Sequence, residues 1–202
     1  MKRILLLASS LMLAALLASC TLLAPRPDPS RFFILHATEN APDGRTLPGR
    51  SIGLGPITIP DYLQRQEIMW RTSPTEVRPS GLDRWAGTLD SNVTRVLAEN
   101  LGRLLGTERL YVYPSFEITR ADYNVEVTFI RFDLDTSNTA TLVARWEVRD
   151  ARAKDRSVSR VTEATATTTA TDTPAGVEAL SRTLGDLSRE IAATLRDFDA
   201  RK

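Results

Sequence analysis

The chain is predicted to be α/β, bordering on α+β: a single domain whose mixed, largely antiparallel sheet is covered by two long helices. Three observations predict this. Two stretches, Tyr123 to Leu134 with one change of phase and Ala140 to Val148, alternate apolar and polar side chains with period two, the mark of half-buried strands. Two other stretches, Trp85 to Leu105 and Val177 to Phe198, repeat apolar residues every three or four positions, as a helix packed on a core does. Hydrophobic residues are 42% and charged residues 25% of the 202-residue chain, an ordinary balance for a domain large enough to bury a core.

Ahead of the domain, residues 1–19 have the layout of a secretory signal. Lys2 and Arg3 precede an apolar run from Ile4 to Ala18 that ends in small residues. At about 1.5 Å per residue the run measures about 22 Å, short of the roughly 30 Å hydrocarbon core of a bilayer. Leu17-Ala18-Ser19-Cys20 closes it, and Cys20 is the only cysteine in the chain. These four residues look like a bacterial lipobox, in which the thiolate takes a diacylglyceryl group and cleavage leaves the cysteine as an N-acylated N-terminus. Several acyl chains anchor stably where one is marginal. Cys20 is therefore the expected lipidation site, and the covalent lipid is the only expected cofactor.

Residues 20–30 read as a tether. Pro25, Pro27 and Pro29 recur at every second position, each fixing φ and removing an amide donor, which favours an extended chain. At about 3.1 Å per residue the tether reaches on the order of 30 Å, so residues 31–202 should sit close to the membrane.

The elements follow in order. Arg31 to His36 is a first strand, and His36 is a strand-end residue rather than a ligand. Pro42, Asp43-Gly44 and Pro48-Gly49 make 37–49 a loop. Ser51 to Ile59 is a second strand, with Ile52, Leu54 and Pro56 on one phase, and Glu67 to Thr72 is a third. Ser73-Pro74 and Pro79-Ser80-Gly81 read as turns. A helix over 84–106 carries the stripe Trp85, Leu89, Val93, Val96, Leu97, Leu101, Leu104 and Leu105, stopped by Gly106. A short strand near Leu110–Tyr113 completes a right-handed crossover from strand 50–58. Tyr123 to Phe129 carries its apolar residues on odd positions, then the phase flips to Ile130, Phe132 and Leu134, which calls for a bulge near Phe129. Ala140 to Val148 pairs next, across the charged hairpin loop 150–156 from a threonine-rich strand over 157–170. So much threonine on both faces marks an edge. Thr173-Pro174 opens the closing helix, with proline in its favoured first turn.

Composition and motifs exclude several functions. Lys2 and Arg3 leave with the signal, so 26 basic residues fall to 24 against 25 acidic ones. No basic excess of the kind a nucleic acid requires remains. The basic residues are nearly all arginine, which a composition bias in the coding sequence explains as well as headgroup recognition does. With Cys20 lipidated there is no disulfide. One histidine and no free thiol leave the nucleophile–base constellations without members. Gly53-Leu54-Gly55 is no dinucleotide fingerprint, because Thr58 holds the third glycine position and Pro56 removes an amide. Asp133 to Asn138 opens like a calcium loop but lacks the glycine at position six and the glutamate at position twelve, so it reads as a polar turn. The chain reads as non-enzymatic.

Several stretches together resemble the PqiC/YmbA-type lipoproteins, also called ABC-type transport auxiliary lipoprotein components. The likeness begins at Arg31-Phe-Phe-Ile-Leu35 and is strongest over Ile52-Gly-Leu-Gly-Pro-Ile-Thr-Ile-Pro-Asp-Tyr-Leu63. It continues through Ile68-Met-Trp-Arg71, Asp83-Arg-Trp85 and Leu89 to Leu101, and closes with Leu142 to Trp146 and Leu187 to Ile191. Gln64-Arg65-Gln66 and Gly87-Thr88 depart from the usual pattern. The resemblance implies a likeness to the N-terminal domain of TolB. It also implies a periplasm-facing lipoprotein of the outer membrane serving an MCE-based (mammalian-cell-entry) lipid transport system. Its partners would be an MCE-domain protein and inner-membrane transporter subunits, and a ring-shaped homo-oligomer suits docking on a tubular partner. Thr21 agrees with outer-membrane sorting, since the Asp retention signal is absent. Tyr62, Leu63, Trp70 and Arg71 are the candidate partner contacts, although for the turn set by Pro60 and Asp61 the favoured reading is structural, with Tyr62 and Leu63 plugging the core behind it. Two rivals stand beside the docking role: a lipoprotein that binds lipid on its own, and a purely structural envelope lipoprotein.

Overall fold

The computed structural model describes residues 28–40, 42, 44–153, 155–168 and 170–201. The signal segment, Cys20, Pro25, Pro27 and Asp43 lie outside the described residues. Eight strands form one sheet: β1 (Arg31–Phe33), β2 (Ile52–Thr58), β3 (Glu67–Ser73), β4 (Glu76–Trp85), β5 (Leu110–Val112), β6 (Tyr123–Asp135), β7 (Thr139–Asp150) and β8 (Ser157–Thr167). Two long helices, α1 (Leu89–Leu105) and α2 (Thr173–Ala200), accompany them. Arg31–Lys202 forms one unit of the chain.

Strand β6 organises the sheet. One side pairs antiparallel with β7 from Tyr123↔Asp150 to Leu134↔Ala140. The other side is shared: its first half runs parallel to β2, and its end runs parallel to β3 at Trp70↔Leu134. β5 adds to β2, β4 and then β1 add to β3, and β8 closes the far edge beyond β7. Most of the paired length is antiparallel. β2 and β5 are parallel with α1 between them in sequence, and the β3–β4 hairpin is inserted ahead of the helix.

The phase change in β6 is a register shift between Phe129 and Arg131. Tyr123, Val125, Val127 and Phe129 face the core before it, Phe132 and Leu134 after it. Ile130, expected on the inner phase, is the residue turned out, 51% exposed. In β2, Ile52 and Leu54 are buried but Pro56 is exposed, because the pairing slips between Leu54 and Ile57. Further corrections concern β1 and β4. β1 ends at Phe33, since the chain then leaves the sheet for the helices: Leu35 is buried, its carbonyl accepts from Arg95, and the His36 N–H donates to Ser181 Oγ at 3.3 Å. Pro79-Ser80-Gly81, expected as a turn, lies inside β4. Gly81 has φ +55 and the β3–β4 register shifts between Glu67 and Met69, so these residues mark a bulged strand rather than a reversal. Trp85 consequently ends β4 instead of opening the helix, which starts at Leu89.

Both helices lie on one face of the sheet. The stripe Val177, Leu180, Leu184, Leu187, Ile191, Leu195 and Phe198 of α2 is buried, and Asp172 caps the helix by accepting from the Ala175 N–H at 3.0 Å. A Cβ on Gly176 would stand 2.6 Å from Leu134 Cδ1, so glycine lets α2 sit down on the end of β6. Buried Asn100 joins the helix layer: its Nδ2 donates to Ser188 Oγ at 3.3 Å while its Oδ1 accepts from the Thr38 and Glu39 amides. The threonine-rich β8 is an edge strand, exposed on its odd positions, but Thr162 is buried and accepts from Trp146 Nε1 at 2.8 Å. No described helix is long and apolar enough to cross a membrane.

β1 is only three residues long and is pinned by charge. The Arg31 guanidinium donates both Nε and a terminal N–H to buried Asp83, each at 2.7 Å, and Ser80 Oγ adds a third donor. The Arg31 hydrogen bonds hold the Asp83 carboxyl below its ordinary value of 3.8, against the opposing effect of burial. A carboxyl depressed by folding stabilises above its unfolded value, and that contribution is lost as pH falls through the folded value. Asp83→Asn is therefore expected to lower stability to urea at pH 7, with the gap from wild type narrowing as pH drops below about 3.8. A gap that stays constant with pH would contradict the assignment.

Candidate docking surface

The residues after β2 are shaped by Pro60. Its φ of −58° and ψ of 143° start a single 3₁₀ turn over Asp61–Leu63, closed by the Leu63 N–H donating to the Pro60 carbonyl at 2.9 Å. The turn sends two neighbouring side chains to different environments. Leu63 enters the hydrophobic core, 4% exposed, and so presents nothing to a partner. Tyr62 lies half-buried on the sheet face away from the helices, and its hydroxyl donates to Asp133 Oδ2 at 3.2 Å.

Asp133 is the centre of that face. Its side chain is fully buried, and two guanidiniums meet it. Arg71, from β3, donates Nε at 2.8 Å and a terminal N–H at 2.6 Å to Oδ2, while Arg131 donates Nε to Oδ1 at 2.8 Å. The Arg71 guanidinium also lies 5.9 Å from the centre of the Tyr62 ring. Burial first, and then the Asp133 carboxylate, push the Tyr62 phenol above its ordinary value. A buried carboxylate is tolerable only when paired, and these three donors supply the pairing. A depression of about 580 Å³ opens beside the cluster, lined by Tyr62, Arg71, Pro74, Ile130, Arg131 and Asp135.

Trp70 does not join this cluster. Successive strand residues point to opposite faces, so Trp70 packs on the helix side, beside Arg31, Asp83 and Thr173. The four candidate contacts thus divide: Tyr62 and Arg71 come together, Leu63 is core, and Trp70 faces the other way. Cys20 lies outside the described residues. Sequence reasoning missed Asp133 and Arg131. The signal available was the spacing Arg131-x-Asp133, which puts both on one face just after the phase change. Asp133 still reads as solvent-facing unless β3 and the Pro60 turn are known to cover it.

The rest of the polar turn is self-contained. Asp135 Oδ1 accepts from the Ser137 amide and hydroxyl at 2.9 and 2.6 Å and from the Thr139 amide at 3.0 Å, and Asn138 adopts φ +61. Among the described residues, no group of three His, Cys, Asp or Glu is placed to hold a metal ion. The site's chemistry is that of a firm, charge-compensated surface.

Comparison with known proteins fits this fold. The family model for the ABC-type transport auxiliary lipoprotein component matches residues 34–192. No functionally curated protein is significantly similar in sequence. Among solved structures, an uncharacterised protein superposes with a TM-score of 0.68 at 17% identity, covering 82% of this chain and 98% of its own. Protein XCC0632 from Xanthomonas campestris, of the DUF330 family, superposes with a TM-score of 0.70 at 14% identity, covering 85% and 98%. At these identities the two structures speak for the fold alone.

Removing Arg71 takes two N–H donors from the buried Asp133 carboxylate and leaves it under-compensated, with only Arg131 and the Tyr62 hydroxyl. Arg71→Met is therefore expected to cost about 3 kcal/mol in urea unfolding, far above the few tenths typical of a surface ion pair. Arg131→Met should cost less, because its side chain is 33% exposed. Equal, sub-kilocalorie losses for both would show that Asp133 does not depend on them.

Proposed function

We propose, because the chain belongs to the ABC-type transport auxiliary lipoprotein family, that it is the lipid-anchored docking subunit of an envelope transport system that moves lipid between membranes. The family match over residues 34–192 carries this reading. Cleavage after Ser19 and acylation of Cys20 attach the mature chain to the periplasmic side of the outer membrane, with Thr21 in the position that permits outer-membrane sorting. Residues 20–30 then hold the domain within on the order of 30 Å of the bilayer. So short a tether raises the local concentration of the domain for any partner that reaches this membrane.

The partner in this reading is an MCE-domain protein coupled to inner-membrane transporter subunits, and the protein contributes to outer-membrane integrity by keeping that assembly attached. Tyr62 and Arg71 are the proposed contacts. They stand on the uncovered sheet face, and Asp133 fixes both. A preorganised aromatic and guanidinium pair loses little rotamer freedom on binding. Leu63 supports the turn from within. Trp70, on the other face, is not part of the same contact.

Photo-crosslinking from position 62 of the full-length lipoprotein in intact envelopes tests the reading. The expected product contains an MCE-domain protein or another subunit of the transporter, and it diminishes in Arg71→Ala. Recovery of neither kind of partner would overturn the docking role.

A further inference from the structure

Among the described residues, seven large apolar side chains are exposed, and three of them gather at one place. Phe32 is 60% exposed, Ile34 57% and Leu82 48%. Phe33 and Trp85 turn into the core, so by alternation Phe32 points out on the face away from the helices, and Ile34, the first residue past the strand, is exposed as well. Phe32 pairs in register with Arg84, and Leu82 lies two positions before Arg84 on the same face of β4. The patch is thus an aromatic ring and two aliphatic side chains around one arginine, on the edge strand where the folded domain begins.

That position decides what covers it. Phe32 is twelve positions after Cys20, so even a fully extended chain places it at most about 40 Å from the lipidated sulfur. No other exposed apolar group in the domain is so near to the anchor along the chain. An apolar patch carrying a long guanidinium side chain matches the boundary between acyl chains and headgroups, where aromatic and aliphatic groups dip in and arginine reaches back to phosphate. We propose that Phe32, Ile34 and Leu82 rest in the surface of the bilayer that holds the Cys20 lipid. The domain is then docked on the membrane by its β1 edge, with Arg84 toward the lipid phosphates. Docking at this edge leaves the β8 edge, at the other end of the sheet, facing away from the lipid. This inference rests on the Cys20 anchor of the proposed function.

The chain's single cysteine makes the test direct, because acylation leaves no free thiol to compete for a label. Full-length lipoprotein carrying Ile34→Cys is labelled with the fluorophore NBD and reconstituted into phosphatidylethanolamine–phosphatidylglycerol vesicles, with and without doxyl-labelled lipid. Val161→Cys, on β8, serves as the comparison. The expected result is a blue shift at position 34, loss of quenching by aqueous iodide and quenching by doxyl lipid, while position 161 remains quenched by iodide alone. A protein that floats with the vesicles but stays iodide-accessible at position 34 would overturn the proposal. So would a label shielded from iodide yet untouched by doxyl lipid, which would place a second copy of the chain or another protein on the patch. Failure to float would strike the anchor itself, and the patch assignment would fall with it.

Discussion

The buried carboxylate of Asp133 depends on a single irregularity in β6, and much of the domain is arranged around it. Without the register shift between Phe129 and Arg131, the thirteen residues of β6 would keep one inward phase throughout. Phe132 and Leu134 would then face solvent, and Asp133 would face the core. The shift turns Ile130 out and lets two apolar residues continue inward beneath α2. It also points Asp133 to the opposite face, where β3 and the Pro60 turn close over it with Arg71 and Tyr62. Strand pairing, helix seating and the charged surface are thus consequences of one extra residue in one ladder.

The same economy governs how the domain meets its surroundings. Its helices cover one sheet face and complete the core, which leaves the other face and the edges for the proposed contacts. The Asp133 cluster gives the open face a rigid, charge-compensated surface. The β1 edge opens the folded domain and carries the apolar patch, and the bidentate Arg31–Asp83 pair holds that short edge in place. If Cys20 is the anchor, as proposed, the short chain that follows it would leave the domain little orientational freedom, and its surfaces would take separate roles, one toward lipid and one toward a protein partner.

Much of this was legible in the sequence. The helical stripes of 89–105 and 177–198, the alternation of β6 and β7 and the edge character of β8 follow directly from side-chain periodicity. Even the phase change near Phe129 is visible, because apolar residues switch from odd to even positions. Periodicity fails where tertiary pairing overrides local chemistry. Pro79 and Gly81 carry strong turn signals, yet β3 recruits them into a bulged strand, and Trp85 joins that strand although its spacing to Leu89 is helical. Ile130 looks like the first residue of the new phase, but the bulge needs one residue outside both registers. Asp133 alternates as a surface residue should, and only the long-range covering by β3 makes it buried. The family pattern singles out Tyr62, Leu63, Trp70 and Arg71 alike, and nothing in the sequence separates the pair Tyr62 and Arg71 from Leu63 and Trp70. That division depends on strand direction and turn geometry.

The claim on which the rest depends is chemical: one sulfur ties a stable, folded domain to a bilayer. Intact-mass and N-terminal peptide analysis of the protein extracted from membranes tests it most directly. The expected species begins at Cys20 and carries a diacylglyceryl group with an amide-linked acyl chain. A chain that begins upstream of residue 20, or a Cys20 without fatty-acid mass, would contradict it.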